Sequence, residues 1–161
     1  MPAWIAAGAM LASIAKADFV PVREARHADG PCHTTVEAAA CAALETALPL
    51  STHVEYGGAI LHVDGGFCCT RPVTSKRANA IRFRLFVTPD ARLAALYHTH
   101  PTSVRSASRF SPTDKRVATK VRVRSFLGSD RSGRVRVFDP MTRATAVLNC
   151  VGDAALVSAN P

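Results

Sequence analysis

The sequence lacks internal repeats, low-complexity tracts and any hydrophobic run long enough to cross a membrane. It also lacks CxxC pairs with zinc-finger spacing, although it contains 5 cysteines. These absences argue against a repeat protein, an integral membrane protein and a cysteine-based zinc module. Of the 161 residues, 48% are hydrophobic and 20% are charged, which is typical of one folded domain with its own core.

Acidic residues are scarce relative to basic ones: 12 Asp and Glu stand against 20 Lys and Arg, a formal net charge of +8. Such a balance favours an anionic partner or surface, although a basic protein without such a partner is equally compatible with it. Arg122 and Arg124 alternate with valines, as do Arg134 and Arg136. We therefore expect each pair to lie on one solvated face. Nucleic acid is a less favoured partner, because aromatic residues do not interleave with these arginines.

The first 17 residues resemble a signal peptide in part. An apolar, Ala-rich stretch over residues 4–14 precedes Ala15-Lys16-Ala17, which has the small-x-small form of a cleavage site, but no basic residue comes before it. We favour export to the periplasm or the medium over a cytoplasmic location; a plain N-terminal helix is the alternative. The predicted organisation is this segment, an extension over 18–33, one domain over 34–150 and a tail over 151–161.

The cysteines fit either a reducing or an oxidising compartment. In an exported chain Cys32 and Cys41 can bridge, and Cys68, Cys69 and Cys150 would then supply one more pair and a leftover thiol. Adjacent residues of a strand point to opposite faces, so Cys68 and Cys69 are poor partners for each other.

Hydrophobic periodicity predicts an α/β (α+β) domain with a central mixed β-sheet and flanking helices. A capping box at Thr34-Thr35-Val36-Glu37 opens a helix that Pro49 closes, and Ser111-Pro112 opens a second helix to about Arg124. The predicted strands are 54–63 and 67–70 as a hairpin, 81–87, 93–100 as a buried central strand, and 125–127, 133–138 and 144–150.

His98 and His100 end the predicted central strand. Residues two apart on a strand share a face, so both imidazoles can converge on one ion, and Asp114 in the first turn of the second helix can supply a third ligand. Two histidines and one carboxylate leave a position open, as in catalytic zinc sites. Glu55, a carboxylate in an otherwise apolar strand, is a candidate general base, and Ser111 a candidate oxyanion donor.

Each of these residues also has a simpler interpretation. The histidines can be polar residues at a strand end, Ser111 and Asp114 can be helix caps, and Glu55 can be an edge-strand charge. Tyr97 and Thr99 should face away from the metal as packing residues. The remaining histidines are expected to be surface or structural residues: His33, His53 and His62.

The combination of Glu55, His98-Thr99-His100-Pro101 and Ser111-Pro112-Thr113-Asp114 resembles the motif of the JAB/MPN (JAMM) zinc metallopeptidases. The resemblance implies that the two histidines and the aspartate bind one zinc, that the glutamate is the general base and that the serine steadies the tetrahedral intermediate. It also implies a JAB/MPN-like sheet with cytidine-deaminase-like layering. The stretch between His100 and Ser111 is a few residues longer than in the well-studied members.

Residues 34–140 resemble a bacterial branch of that superfamily, found as free-standing proteins and as toxin-associated C-terminal domains. The resulting hypothesis is a zinc-dependent hydrolase of peptide or isopeptide bonds, acting on a protein or peptide as an effector or an exported peptidase. The alternative is a non-catalytic basic binding module with a structural zinc. The ligand set would also accept iron or manganese.

Overall fold

The computed structural model describes residues 22–25, 32–103, 108–129, 134–150 and 156–158. The predicted signal segment lies outside these ranges. In chain order the elements are β1 Val22–Ala25, α1 Val36–Ala47, a 3-10 turn Leu48–Leu50, β2 Gly57–Val63, β3 Gly66–Cys69, β4 Arg82–Leu85, β5 Arg92–Thr99, α2 Pro112–Val121, β6 Arg124–Gly128, β7 Arg134–Phe138, β8 Thr145–Asn149 and β9 Leu156–Ser158.

Seven strands form one mixed sheet in the order β3-β2-β5-β6-β7-β8-β9. β5 and β6 are parallel, which requires a crossover connection, and α2 lies in that connection. The other neighbours in this sheet are antiparallel. β1 and β4 form a separate parallel pair. The predicted α+β class with a mixed sheet and flanking helices is confirmed at this level.

α1 covers one face of the sheet, which we call the α1 face. The Ala38 N–H donates to the Thr35 side chain at 3.1 Å, so the helix begins one residue later than the predicted capping box at Thr34. Six of its twelve residues are buried, mostly alanines that let the helix pack closely on the sheet. Its core cluster includes Tyr97, Phe126 and residues of five strands. Pro49 follows in the 3-10 turn, as predicted.

α2 lies on the opposite face, which we call the α2 face. Its buried residues Val117 and Ala118 belong to clusters that include Leu96 and Leu127 of the sheet. The helix ends at Val121 because Arg122 adopts the left-handed conformation with φ 57°. The predicted extension to about Arg124 is therefore wrong by three residues.

The β2–β3 hairpin is antiparallel, as predicted. β2 begins at Gly57, however, so Glu55 precedes the strand and does not lie within it. Gly57 is opposite His98, and a Cβ atom there would lie 2.7 Å from the Tyr97 carbonyl oxygen. Glycine therefore allows the start of β2 to approach β5 closely.

Two disulfides join Cys32 to Cys68 and Cys41 to Cys150, and Cys69 is a free thiol. The predicted bridge between Cys32 and Cys41 is wrong, because Cys41 lies within α1 and Cys32 lies beside β3. The expectation for the adjacent pair is confirmed: Cys68 is bridged, while Cys69 turns toward α1 and donates to the Ala39 carbonyl at 3.1 Å.

The four arginines are divided between different surfaces. Arg122 caps α2, while Arg124 starts β6 and forms an ion pair with Glu37 of α1 at 2.5 Å, so the expectation that these two share one face is wrong. Arg134 and Arg136 share one face of β7, as predicted, because Val135 and Val137 between them are buried in the α1-face core. Within the described ranges, no helix is both long and apolar enough to span a bilayer.

Candidate metal centre

β5 presents the two histidines on the α2 face. The strand is central in the sheet, and its alternation, which continues to His100 directly after its last residue, places His98 and His100 on one side and Tyr97 and Thr99 on the other. The two imidazole centroids are 5.1 Å apart. Tyr97 is buried on the α1 face, where its hydroxyl donates to the Thr70 carbonyl at 2.7 Å. The prediction that Tyr97 and Thr99 face away from the histidines is confirmed.

The first turn of α2 brings Asp114 to the same place. Its Oδ2 atom lies 3.5 Å from His98 Nε2 and 3.4 Å from His100 Nε2. A capping box fixes this carboxylate: the Ser111 N–H donates to Asp114 Oδ2 at 2.7 Å, and the Asp114 N–H donates to Ser111 Oγ at 3.2 Å. One ligand atom from each of His98, His100 and Asp114 lies within 4.8 Å of the other two.

The donor set fits a divalent cation. His98 Nε2 is buried without a hydrogen-bond partner among the residues that the structure describes, which is costly unless a further ligand satisfies it. Burial alone would raise the pKa of Asp114, but the charge of the adjacent His98 and hydrogen bonds from His100 and the Ser111 N–H lower this pKa well below its usual range. Asp114 is therefore ionised and available as a ligand at neutral pH.

Glu55 lies beside the ligand cluster. Its Oε1 atom is 3.9 Å from His100 Nε2, and its backbone N–H donates to the Arg77 carbonyl at 2.9 Å. The residue is 9% exposed. Burial raises the pKa of Glu55 to about 8, with His100 opposing this shift and Asp114 adding to it. The predicted base is thus next to the predicted ligands, although the strand expected to carry it starts two residues later.

Two buried hydroxyls hold the Glu55 segment against the end of β5. The Thr99 hydroxyl donates to Ser51 Oγ at 2.6 Å, and Ser51 donates to the Val54 carbonyl at 2.8 Å. The Tyr56 N–H donates to Thr99 Oγ1 at 3.0 Å. These bonds tie both neighbours of Glu55 to the residue between the two histidines. Sequence reasoning missed Ser51, because a lone serine after a helix carries no motif.

Ser111 occupies the N-cap of α2, three residues before the candidate ligand Asp114. Its Oγ accepts from the Asp114 N–H, which leaves the hydroxyl proton available as a donor. The predicted placement of this serine at the start of the helix is confirmed.

Aromatic rings form one wall of the site. The Phe110 ring lies 5.9 Å from His98 and 6.0 Å from Phe138, and Lys115 Nζ sits 5.5 Å from the Phe138 centroid. Phe110 and Phe138 are buried together with Leu127 of β6. Beside the histidines, the α2 face therefore consists of buried apolar side chains, with the positive charge of Lys115 at its rim.

The other histidines lie outside this cluster. His33 forms a backbone bridge with Phe67, and the His62 ring lies 5.0 Å from the ring of Phe67. His53 is exposed. Comparison of the chain with protein-family models, curated proteins and solved structures finds no match.

Proposed function

We propose that this chain is a zinc-dependent hydrolase of the JAB/MPN type that cleaves a peptide or isopeptide bond. The observation that carries the proposal is the convergence of His98, His100 and Asp114 within 4.8 Å, with the buried Glu55 carboxylate 3.9 Å from His100. A purely structural zinc would not need a second carboxylate beside its three ligands, because burying that carboxylate is costly. The mixed sheet with one helix on each face is compatible with the fold that the sequence motif implies.

His98, His100 and Asp114 would hold the zinc, and three protein ligands leave one coordination position open to water or substrate. Bound zinc supplies a Lewis acid that polarises the scissile carbonyl and lowers the pKa of water. The Asp114 carboxylate is held by the N–H of Ser111, so the ligand is oriented before any ion binds.

Glu55 takes a proton from the attacking water and returns it to the leaving amine. Without a metal, burial raises the pKa of Glu55 to about 8, and a cation bound beside it would favour the ionised form that accepts a proton from water. The Ser111 hydroxyl donates a hydrogen bond to the oxyanion that develops on the carbonyl. Ser51 and Thr99 fix the segment that carries Glu55, so the base does not need to be reoriented for the reaction.

The distribution of charge argues against the alternative of a basic binding module. Of the four arginines that alternate with valines, Arg124 is neutralised by Glu37 on the α1 face, Arg122 caps α2, and Arg134 and Arg136 alone share a strand face. A module that binds an anionic polymer needs a continuous basic surface.

The disulfides favour a place of action outside the reducing cytoplasm. Two bridges, Cys32–Cys68 and Cys41–Cys150, persist in oxidising compartments and are rare in reducing ones. We therefore extend the proposal to an exported peptidase or effector. Its substrate would be a protein or peptide that it meets after export.

The first experiment is elemental analysis of the purified protein. We expect about one zinc per chain in the wild type and in Glu55→Gln, and none in His100→Ala. His53→Ala is the matched control, because it removes an exposed histidine and should keep the zinc. Protein that takes up no zinc when zinc is offered would end the catalytic interpretation.

The second experiment separates catalysis from a structural zinc. Quenched peptides and isopeptide-linked substrates are screened with the wild type, with chelator and after zinc is restored. Chelator should abolish hydrolysis, and Glu55→Gln should lower turnover by roughly 10²-fold or more. A Glu55→Gln variant with full activity and full zinc content would favour a purely structural zinc.

A further inference from the structure

The α2 face of the sheet carries two arginines near the ligand cluster. On β7, Val135 and Val137 are buried in the α1-face core, so Arg134, Arg136 and Phe138 are on the opposite face. Phe138 confirms this assignment, because it packs with Phe110 on the α2 side. The arginines of β7 and His98 of β5 are therefore on the same face.

The strand register places Arg136 level with the first histidine. His98 pairs with Leu127 of β6, and Leu127 pairs with Arg136 of β7. Two strand spacings separate His98 from Arg136, which is roughly 10 Å. The side chain between them is the buried Leu127, over which Phe110 packs. An extended substrate lying across this row would need roughly three residues to reach from the cluster to Arg136.

Arg136 has no acidic partner in the part of the chain that the structure describes, whereas Arg124 is paired with Glu37. The carboxylates nearest to the metal cluster, Glu55 and Asp114, already face its histidines. Arg136 is half-buried on the sheet, and Lys115 adds a second positive charge at the rim above Phe138. A half-buried guanidinium next to an apolar wall is suited to a carboxylate that arrives with a ligand.

We propose that Arg136 and the Phe110 wall form a subsite for an acidic side chain of the substrate, about two to three residues from the scissile bond. This inference rests on the proposed function, and it specifies the substrate class as an acidic peptide segment. The guanidinium fork binds the carboxylate in two parallel hydrogen bonds, and Phe110 contacts the methylene groups of the acidic residue. The net charge of +8 also attracts acidic segments at a distance.

The test uses short peptide hydroxamates and the zinc-loaded protein. The hydroxamate binds the zinc, and Glu is placed one to four residues away, in one series toward the amino side and in another toward the carboxyl side. The matched series carries Gln in place of Glu. Isothermal titration calorimetry should show one register in which the Glu peptide binds wild type at least ~10-fold more tightly than the Gln peptide.

Arg136→Gln should bind the Glu and Gln peptides equally, with unchanged zinc content and unchanged thermal unfolding. The control is Arg92→Gln, which makes the same charge change at the exposed start of β5 and should keep the preference. If wild type binds the Glu and Gln peptides with equal affinity in every register, the proposed subsite is refuted. It is also refuted if Arg136→Gln still prefers the Glu peptide. If no hydroxamate binds to the zinc-loaded protein, the proposed function fails as well.

Discussion

Glu55→Gln should stabilise the metal-free protein, and it should remove the proposed hydrolytic activity of the zinc-loaded protein. The ordinary pKa of 4.5 applies in the unfolded chain, and burial raises the pKa of Glu55 to about 8 in the folded one. Because the pKa is higher in the folded protein, the free energy of unfolding has its full value below pH 4.5 and falls as the pH rises towards 8. From these two values, ionisation of Glu55 lowers the free energy of unfolding by about 4 kcal/mol at pH 7.5 and about 1 kcal/mol at pH 5.

Glutamine has nearly the same shape and does not ionise, so the variant escapes this loss. In chelator-treated protein we expect Glu55→Gln to exceed wild type in free energy of unfolding, by about 3 kcal/mol more at pH 7.5 than at pH 5. Zinc should shrink this difference, because a cation beside the carboxylate favours its ionised form.

The assay is urea denaturation followed by far-UV circular dichroism at the two pH values. Glu45→Gln is the control: it is the same substitution at an exposed site of α1, and it should follow wild type at both. A difference between Glu55→Gln and wild type that does not change with pH would refute the argument, because it would mean that Glu55 is not desolvated.

Three further predictions concern stability. Gly58→Ala should lower the free energy of unfolding by about 1–3 kcal/mol, because its Cβ would lie 2.7 Å from the buried Tyr97 hydroxyl. Thermal unfolding measures the loss, and an unchanged midpoint would contradict the prediction. Thr99→Val should cost about 1–3 kcal/mol by the same measurement and reduce turnover with zinc retained, whereas Thr99→Ser should restore both. Replacing Cys41 and Cys150 by Ser removes a disulfide that joins residues 109 positions apart, and it should lower the free energy of unfolding by about 4 kcal/mol. Urea denaturation measures this loss, and equal stability of the two proteins would show that the disulfide does not form.

The local features of the site could be predicted from the sequence. An alternating strand places His98 and His100 together, and a helix start at Ser111 fixes Asp114 in the first turn, so both depend on neighbours a few residues away. The approach of α2 to β5 is a tertiary contact. It is nevertheless expected, because a helix that connects two parallel strands packs on the sheet beside them.

Other features depend on contacts between distant residues and could not be predicted. Glu55 approaches His100 from an irregular segment held by Ser51 and Thr99, and hydroxyl contacts across 48 residues leave no periodic pattern. The disulfide partner of Cys41 is likewise set by where β8 ends beneath α1. The parallel pairing of β1 with β4 joins residues about 60 positions apart and has no local signal either.

The capping box of α2 has a consequence for how sequences related to this one should be interpreted. Asp114 Oδ2 is both the candidate metal ligand and the acceptor of the Ser111 N–H, so these two residues retain a task in a descendant that no longer binds metal. A buried carboxyl at position 55 has no such second task and destabilises the fold once it ionises. Selection would therefore discard Glu55 before it discards Ser111 or Asp114. Among divergent descendants, loss of the carboxyl at position 55 would therefore be the first sign that the proposed catalytic function has been lost.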